Sequence, residues 1–156
     1  METEKGKTLL VSYNQVEGFP QGKYEDEKII ILSAHSGGQF LRGEWVEDGS
    51  IDYEKRYDIA RARVRGIEKV ISDNPFAEIS QAVVYVGQRA IQGALNIARS
   101  LASQGKKIRI VGCNCDYHGK ARVAQELGVS YEVCECGGVR TMGRIARECQ
   151  SAEALR

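Results

Sequence analysis

The feature that most narrows the fold of this chain is an alternation in its second half. Gln81–Val86 (QAVVYV), Lys107–Val111 (KIRIV) and Val129–Val133 (VSYEV) have the β-branched, apolar make-up of strands. Helical patterns separate and follow them. Gln88–Gln104 puts Ile91, Ala94, Leu95, Ala98, Leu101 and Ala102 on one stripe, with Gly105 placed as its C-cap glycine. Lys120–Leu127 reads as a short helix closed by Gly128. From Val139 to about Glu153, the residues Val139, Met142, Ile145, Ala146 and Cys149 fall on one inner face. Strand–helix alternation of this kind calls for a parallel sheet, because right-handed crossovers return the chain to the same end each time.

The first half adds Thr8–Tyr13 (TLLVSY) and Lys28–Ser33 (KIIILS) as strands, the latter a continuous apolar run that suits burial on both faces. Tyr57, Ala60, Val64, Ile67 and Ile71 recur at helical spacing until Asp73-Asn74-Pro75 stops them. Residues 1–7 are expected to be a loose polar tail, and Asn14–Glu27 and Gly43–Asp52 to be loops. The reading is α/β: a single three-layer α/β/α domain over residues 1–156, Rossmann-like and doubly wound, with a mostly parallel sheet of about five strands. A chain of 156 residues can bury roughly 68–70% of its unfolded surface, enough for a core without disulfide staples.

Charge excludes some function classes. The net charge of +1 provides no field to draw in nucleic acid or an anionic membrane. Arg61, Arg65 and Lys69 form a solvated helix face rather than a nucleic-acid stripe, and Glu44, Glu47, Asp48 and Asp52 lack EF-hand spacing. The opening Met-Glu-Thr-Glu-Lys-Gly-Lys has no apolar core of a signal peptide, so a cytoplasmic location and reduced thiols are expected. A homo-oligomer is compatible with this composition.

Against that background the cysteines stand out. Four of the five form two Cys-x-Cys pairs, Cys113/Cys115 and Cys134/Cys136, each where a strand runs out. Open α/β sheets bind ligands at the carboxyl ends of their strands. Residues i and i+2 of extended backbone point the same way, so each pair offers two sulfurs in one direction. If the two strands are neighbours, Cys113, Cys115, Cys134 and Cys136 form a ligand set for zinc or an iron–sulfur cluster. If not, the pairs lie about 10 Å apart.

The same edge gathers candidate anion ligands. Gly87-Gln88-Arg89 and Cys136-Gly137-Gly138-Val139-Arg140 are strand-to-helix turns, and Arg89, Gly137, Gly138 and Arg140 would hold an anionic small molecule at helix N-termini. Both histidines, His35 and His118, fall in edge loops as candidate bases; His118 or Asp116 could replace one sulfur on a metal. His35 joins the edge only if Lys28–Ser33 runs parallel to the other strands. Three functions stay open on this reading: a metal- or cluster-binding protein; a metal-free enzyme using Cys113 or Cys136 as nucleophile on a phosphorylated or carboxylated substrate; and a non-catalytic binding or assembly module whose cysteines only pack. Cys149, on an apolar stripe, is expected to be a core residue.

Overall fold

The fold is described from a computed structural model over residues 6–33, 39–41, 44–46, 64–69, 71, 78–88, 91–134 and 137–151. Along the chain run β1 (Lys7–Ser12), β2 (Gly22–Glu25), β3 (Ile29–Ser33), β4 (Gln39–Leu41), β5 (Glu44–Val46), a helical stretch α1 over residues 64–69, β6 (Ile79–Val86), α2 (Ile91–Ser103), β7 (Lys107–Gly112), α3 (Tyr117–Glu126), β8 (Tyr131–Val133) and α4 (Gly138–Ser151). Six strands form one mixed sheet in the order β2-β3-β1-β6-β7-β8. All neighbours are parallel except β2, which is antiparallel to β3. β4 and β5 make a separate antiparallel pair, with Phe40 opposite Trp45.

The expected strands sit in the interior of this sheet because their apolar runs are buried on both faces. Leu9, Leu10, Val11, Ile29, Ile30, Ile31 and Leu32 are all buried, as are Ala82 to Val86 in β6. The register fixes which residues share a face. Tyr85 pairs with Val111 and Val111 with Glu132, while Val84 pairs with Ile110 and Ile110 with Tyr131. Tyr85 and Tyr131 are therefore on opposite faces. The start of α4 lies against the Tyr85 ring, and Tyr117 of α3 lies against the Tyr131 ring. Helices thus cover both faces: α2 packs on β6 and β7, α3 on β8, and α4 on β1 and β3. This is the Rossmann-like α/β/α arrangement.

Four details differ from the sequence reading. The stretch Asn14–Glu27 is not all loop, because it contains β2. Among the described residues β2 pairs on one side only, as an edge strand does, and it carries Lys23 and Glu25, so it lacks an apolar run. Likewise β5 lies inside the expected Gly43–Asp52 loop. β1 begins at Lys7, inside the expected loose tail, where the Lys7 N–H donates to the Glu78 carbonyl and the ammonium pairs with Glu25. α3 starts at Tyr117, three residues earlier than its apolar spacing implies. The expected helix over residues 53–72 is described only at 64–69 and 71, where Val64, Ile67 and Ile71 are buried.

One polar cluster ties the two ends of the fold together. In the β2–β3 turn, Asp26 Oδ1 accepts the backbone N–H groups of Lys28 and Ile29 at 2.8 and 2.9 Å. Its Oδ2 accepts the Tyr24 hydroxyl and, at 2.7 Å, the Gln150 amide near the end of α4. Burial pushes the Asp26 carboxyl up, but these four donors outweigh it and hold the acid below its ordinary range. No described helix is long and apolar enough to cross a membrane.

Candidate functional site

Taken in chain order, the parallel strands β1, β3, β6, β7 and β8 stand in space as β3-β1-β6-β7-β8. The direction of strand addition reverses between β1 and β6. In sheets of this order, the crevice outside the carboxyl ends of those two strands is where ligands bind. β7 and β8 are neighbours, so the adjacency on which the two-pair reading depends is present. The last ladder pair is Gly112 with Val133, and the Cys134 N–H donates to the Gly112 carbonyl at 2.8 Å. Cys113 and Cys134 therefore stand side by side, one step past the ladder. Cys136 lies outside the described residues. Among the described residues, no group of three or more His, Cys, Asp or Glu side chains is placed to hold a metal ion.

Around Cys113 the structure assembles something the sequence reading did not anticipate. Lys120, in the first turns of α3, is completely buried. Its Nζ donates to the carbonyls of Val86 (3.2 Å) and Cys113 (3.3 Å) and to Cys113 Sγ (3.4 Å). The ammonium also lies 5.5 Å from the centre of the Tyr131 ring, a cation–π contact. Tyr131 donates its hydroxyl to the same Cys113 carbonyl. Gly112 makes this possible: a Cβ there would overlap the Val86 carbonyl oxygen and the Tyr131 hydroxyl.

These contacts act on the Cys113 thiol. Burial pushes its pKa up, but the Cys115 backbone N–H, the Lys120 ammonium and the Cys115 thiol together stabilise the thiolate, and the net result is a thiol held below its usual range. Cys115 is exposed, and its thiol donates to Gln88 Oε1 at 3.4 Å across the edge to β6. The turn between them is tight. Asp116 adopts left-handed backbone (φ 52°, ψ 43°) as the N-cap of α3, a conformation that aspartate tolerates better than most side chains. Cys149 behaves as expected: it is half-buried against the core, and burial pushes its thiol up.

The other candidates separate. Gly137 and Gly138 open α4, with the Thr141 N–H bonded to the Gly137 carbonyl at 3.0 Å, and Arg140 is exposed in the first turn. His118 is exposed in α3, its ring edge-on to Tyr117. β3 is parallel to β1, so its carboxyl end belongs to the same edge, but His35 and Ser36 lie outside the described residues, as does Arg89. A cavity of about 480 Å³ bounded by Ala102, Lys106, Leu127 and Val129 lies at the opposite edge of the sheet, and none of the candidates lines it.

From sequence, Lys120 falls among the polar residues of the edge loops but is assigned no role, and Tyr85 and Tyr131 are not site candidates. The signal for Lys120 was there: it shares a helical stripe with the buried Val123 and Ala124, where a lysine has no reason to be unless something polar meets it. No protein-family model, no curated protein and no solved structure matches this chain.

Proposed function

We propose that this protein is a thiolate-centred enzyme in which Cys113 is the reacting sulfur and Lys120 its cationic partner. The observation that carries the reading is the fully buried Lys120 ammonium 3.4 Å from Cys113 Sγ. Burying an ammonium is costly unless it is compensated, and two carbonyls plus a thiolate compensate it. Nucleophilic cysteines are poised in this way by a nearby cation. The expected chemistry is attack of Sγ on an electrophilic carbon of a small anionic molecule. An S–C bond forms as the leaving group departs with its bonding pair.

The test is the pH dependence of iodoacetamide labelling, read cysteine by cysteine by mass spectrometry. Cys113 is expected to label first, with an inflection below that of an ordinary thiol, and Cys149 slowest. Uniform slow labelling of all five cysteines would remove the reading.

The lateral neighbours Cys113 and Cys134 support a second reading, in which they join Cys115 and Cys136 in holding zinc or an iron–sulfur cluster. Metal and iron content of untagged protein purified without oxygen separates the two. About one bound metal, lost in Cys113→Ser, Cys115→Ser, Cys134→Ser and Cys136→Ser but kept in Cys149→Ser, would favour the ligand set.

A further inference from the structure

The crevice between the ends of β1 and β6 holds a second feature, separate from the sulfur chemistry. Tyr85 is only 7% exposed, and among the described residues no group pairs with its hydroxyl. Buried hydroxyls are nearly always hydrogen-bonded. This one lies beside two glycines, whose missing side chains let the Tyr85 ring approach the backbone closely. The hydroxyl is 2.6 Å from where a Cβ on Gly138 would sit, and 3.2 Å from where one on Gly87 would sit. Gly138 is the first residue of α4, and Gly87 follows the last residue of β6. The Tyr13 ring closes the β1 side, 6.1 Å from that of Tyr85.

α4 supplies the complementary half. It is 14 residues long, has no acidic residue in its first turn, and follows Gly137, which has no side chain to cap it. The opening N–H groups of such a helix have no partners within it and carry the positive end of the dipole. Arg140 adds a cation to the same turn. Burial, with the neighbouring cysteines and Tyr13, pushes the Tyr85 phenol well above its ordinary range, so at neutral pH it is a protonated hydroxyl able to donate.

We propose that this crevice binds an oxyanion, the phosphate or carboxylate group of a small molecule. The opening N–H groups of α4 and the Tyr85 hydroxyl hold it. This gives the proposed enzyme its substrate class: the anionic group is anchored at α4 and Tyr85, and the electrophilic centre lies toward Cys113 at the end of β7, the strand beside β6. The inference rests on the thiolate reading for what the anion is for, but the anion site can be tested apart from it.

The experiment uses the Cys113→Ser variant of the full chain, so that binding is measured without sulfur reactivity. Inorganic phosphate and, separately, acetate are titrated in a constant chloride background while backbone amide NMR shifts are followed. Saturable shifts at Gly138, Val139 and Arg140 are expected, and the anion giving the tighter curve names the group. Tyr85→Phe, which removes one oxygen and keeps the ring packing, is expected to weaken that binding roughly tenfold with its amide spectrum otherwise intact. Absence of saturable shifts at α4 with both anions would overturn the proposal. So would unchanged affinity in Tyr85→Phe. Binding without Cys113 reactivity in the labelling experiment would leave the anion site standing and remove only the thiolate reading.

Discussion

Replacing Lys120 by methionine keeps the length and most of the volume of the buried stem and deletes only the ammonium. Two unit charges 3.4 Å apart attract by about 5 kcal/mol at an effective dielectric of 20. Cys113 is only partly buried, so solvent screens most of this. If about 1–2 kcal/mol survives, the thiolate fraction at neutral pH falls on the order of tenfold. Stability should respond differently. The variant loses two charge-assisted bonds to carbonyls, about 1.5–3 kcal/mol each, but it no longer desolvates a buried ammonium, which costs several kcal/mol. The Tyr131 hydroxyl remains on both carbonyls. The two effects offset, and the net change in unfolding free energy should stay within about 2 kcal/mol. The assay is the second-order rate of iodoacetamide labelling at Cys113 between pH 6 and pH 10, with urea unfolding of the same preparation alongside. A Lys120→Met protein that stays folded and labels Cys113 about tenfold more slowly at pH 7, converging with wild type at high pH, fits the argument. An unchanged pH profile in a folded variant would refute it: the lysine would then serve the carbonyls alone.

Two further predictions concern the scaffold. The carboxylate of Asp26 is stabilised in the folded state, so its contribution is present above the unfolded carboxyl range and lost as pH falls through its lower folded value. Asp26→Asn should therefore be less stable than wild type at pH 7 by about 1–2 kcal/mol, with the gap closing on acidification; urea midpoints at pH 7 and pH 3 read this, and a constant gap would contradict it. Gly112→Ala forces a methyl group into the Val86 carbonyl and the Tyr131 hydroxyl, and should cost about 1–3 kcal/mol or more by overpacking. Calorimetry measures that cost, and labelling of the same variant should show the Cys113 environment disturbed.

The parts of the fold legible in the sequence were those whose physics is local or one-dimensional. β3 and β6 announce themselves because strands buried on two faces must be apolar throughout, and α2 and α4 because one stripe faces the sheet. β2 gave no such signal, since an edge strand is defined by its single neighbour. The cysteine pairs were legible as a feature of the strand ends, and the adjacency of β7 and β8 brings Cys113 beside Cys134. What escaped was the partner of the sulfur. Lys120 reaches Cys113 through the fold of the β7–α3 turn, where Asp116 takes left-handed backbone, and seven residues of sequence separation carry no trace of that geometry. Tyr85 escapes for the opposite reason: an aromatic in a buried strand looks like packing until its hydroxyl is found without a partner among the described residues.

The way α4 is used has a consequence for how the chain acquires its structure. The link from β1 to β3 runs through β2 in the plane of the sheet rather than through a helix, so the link supplies no helix to that face. The covering over β1 and β3 comes from α4, more than a hundred residues later, fixed by Gln150 on Asp26 and by Arg147 on the Glu17 carbonyl. During synthesis the first strands emerge long before the element that shields them. Contacts closed over so long a loop form late and slow the folding of the whole. Until then the face carrying Leu10, Ile29 and Ile31 is open to other chains, and this protein should depend on chaperones or low concentration in its first moments more than its modest size suggests.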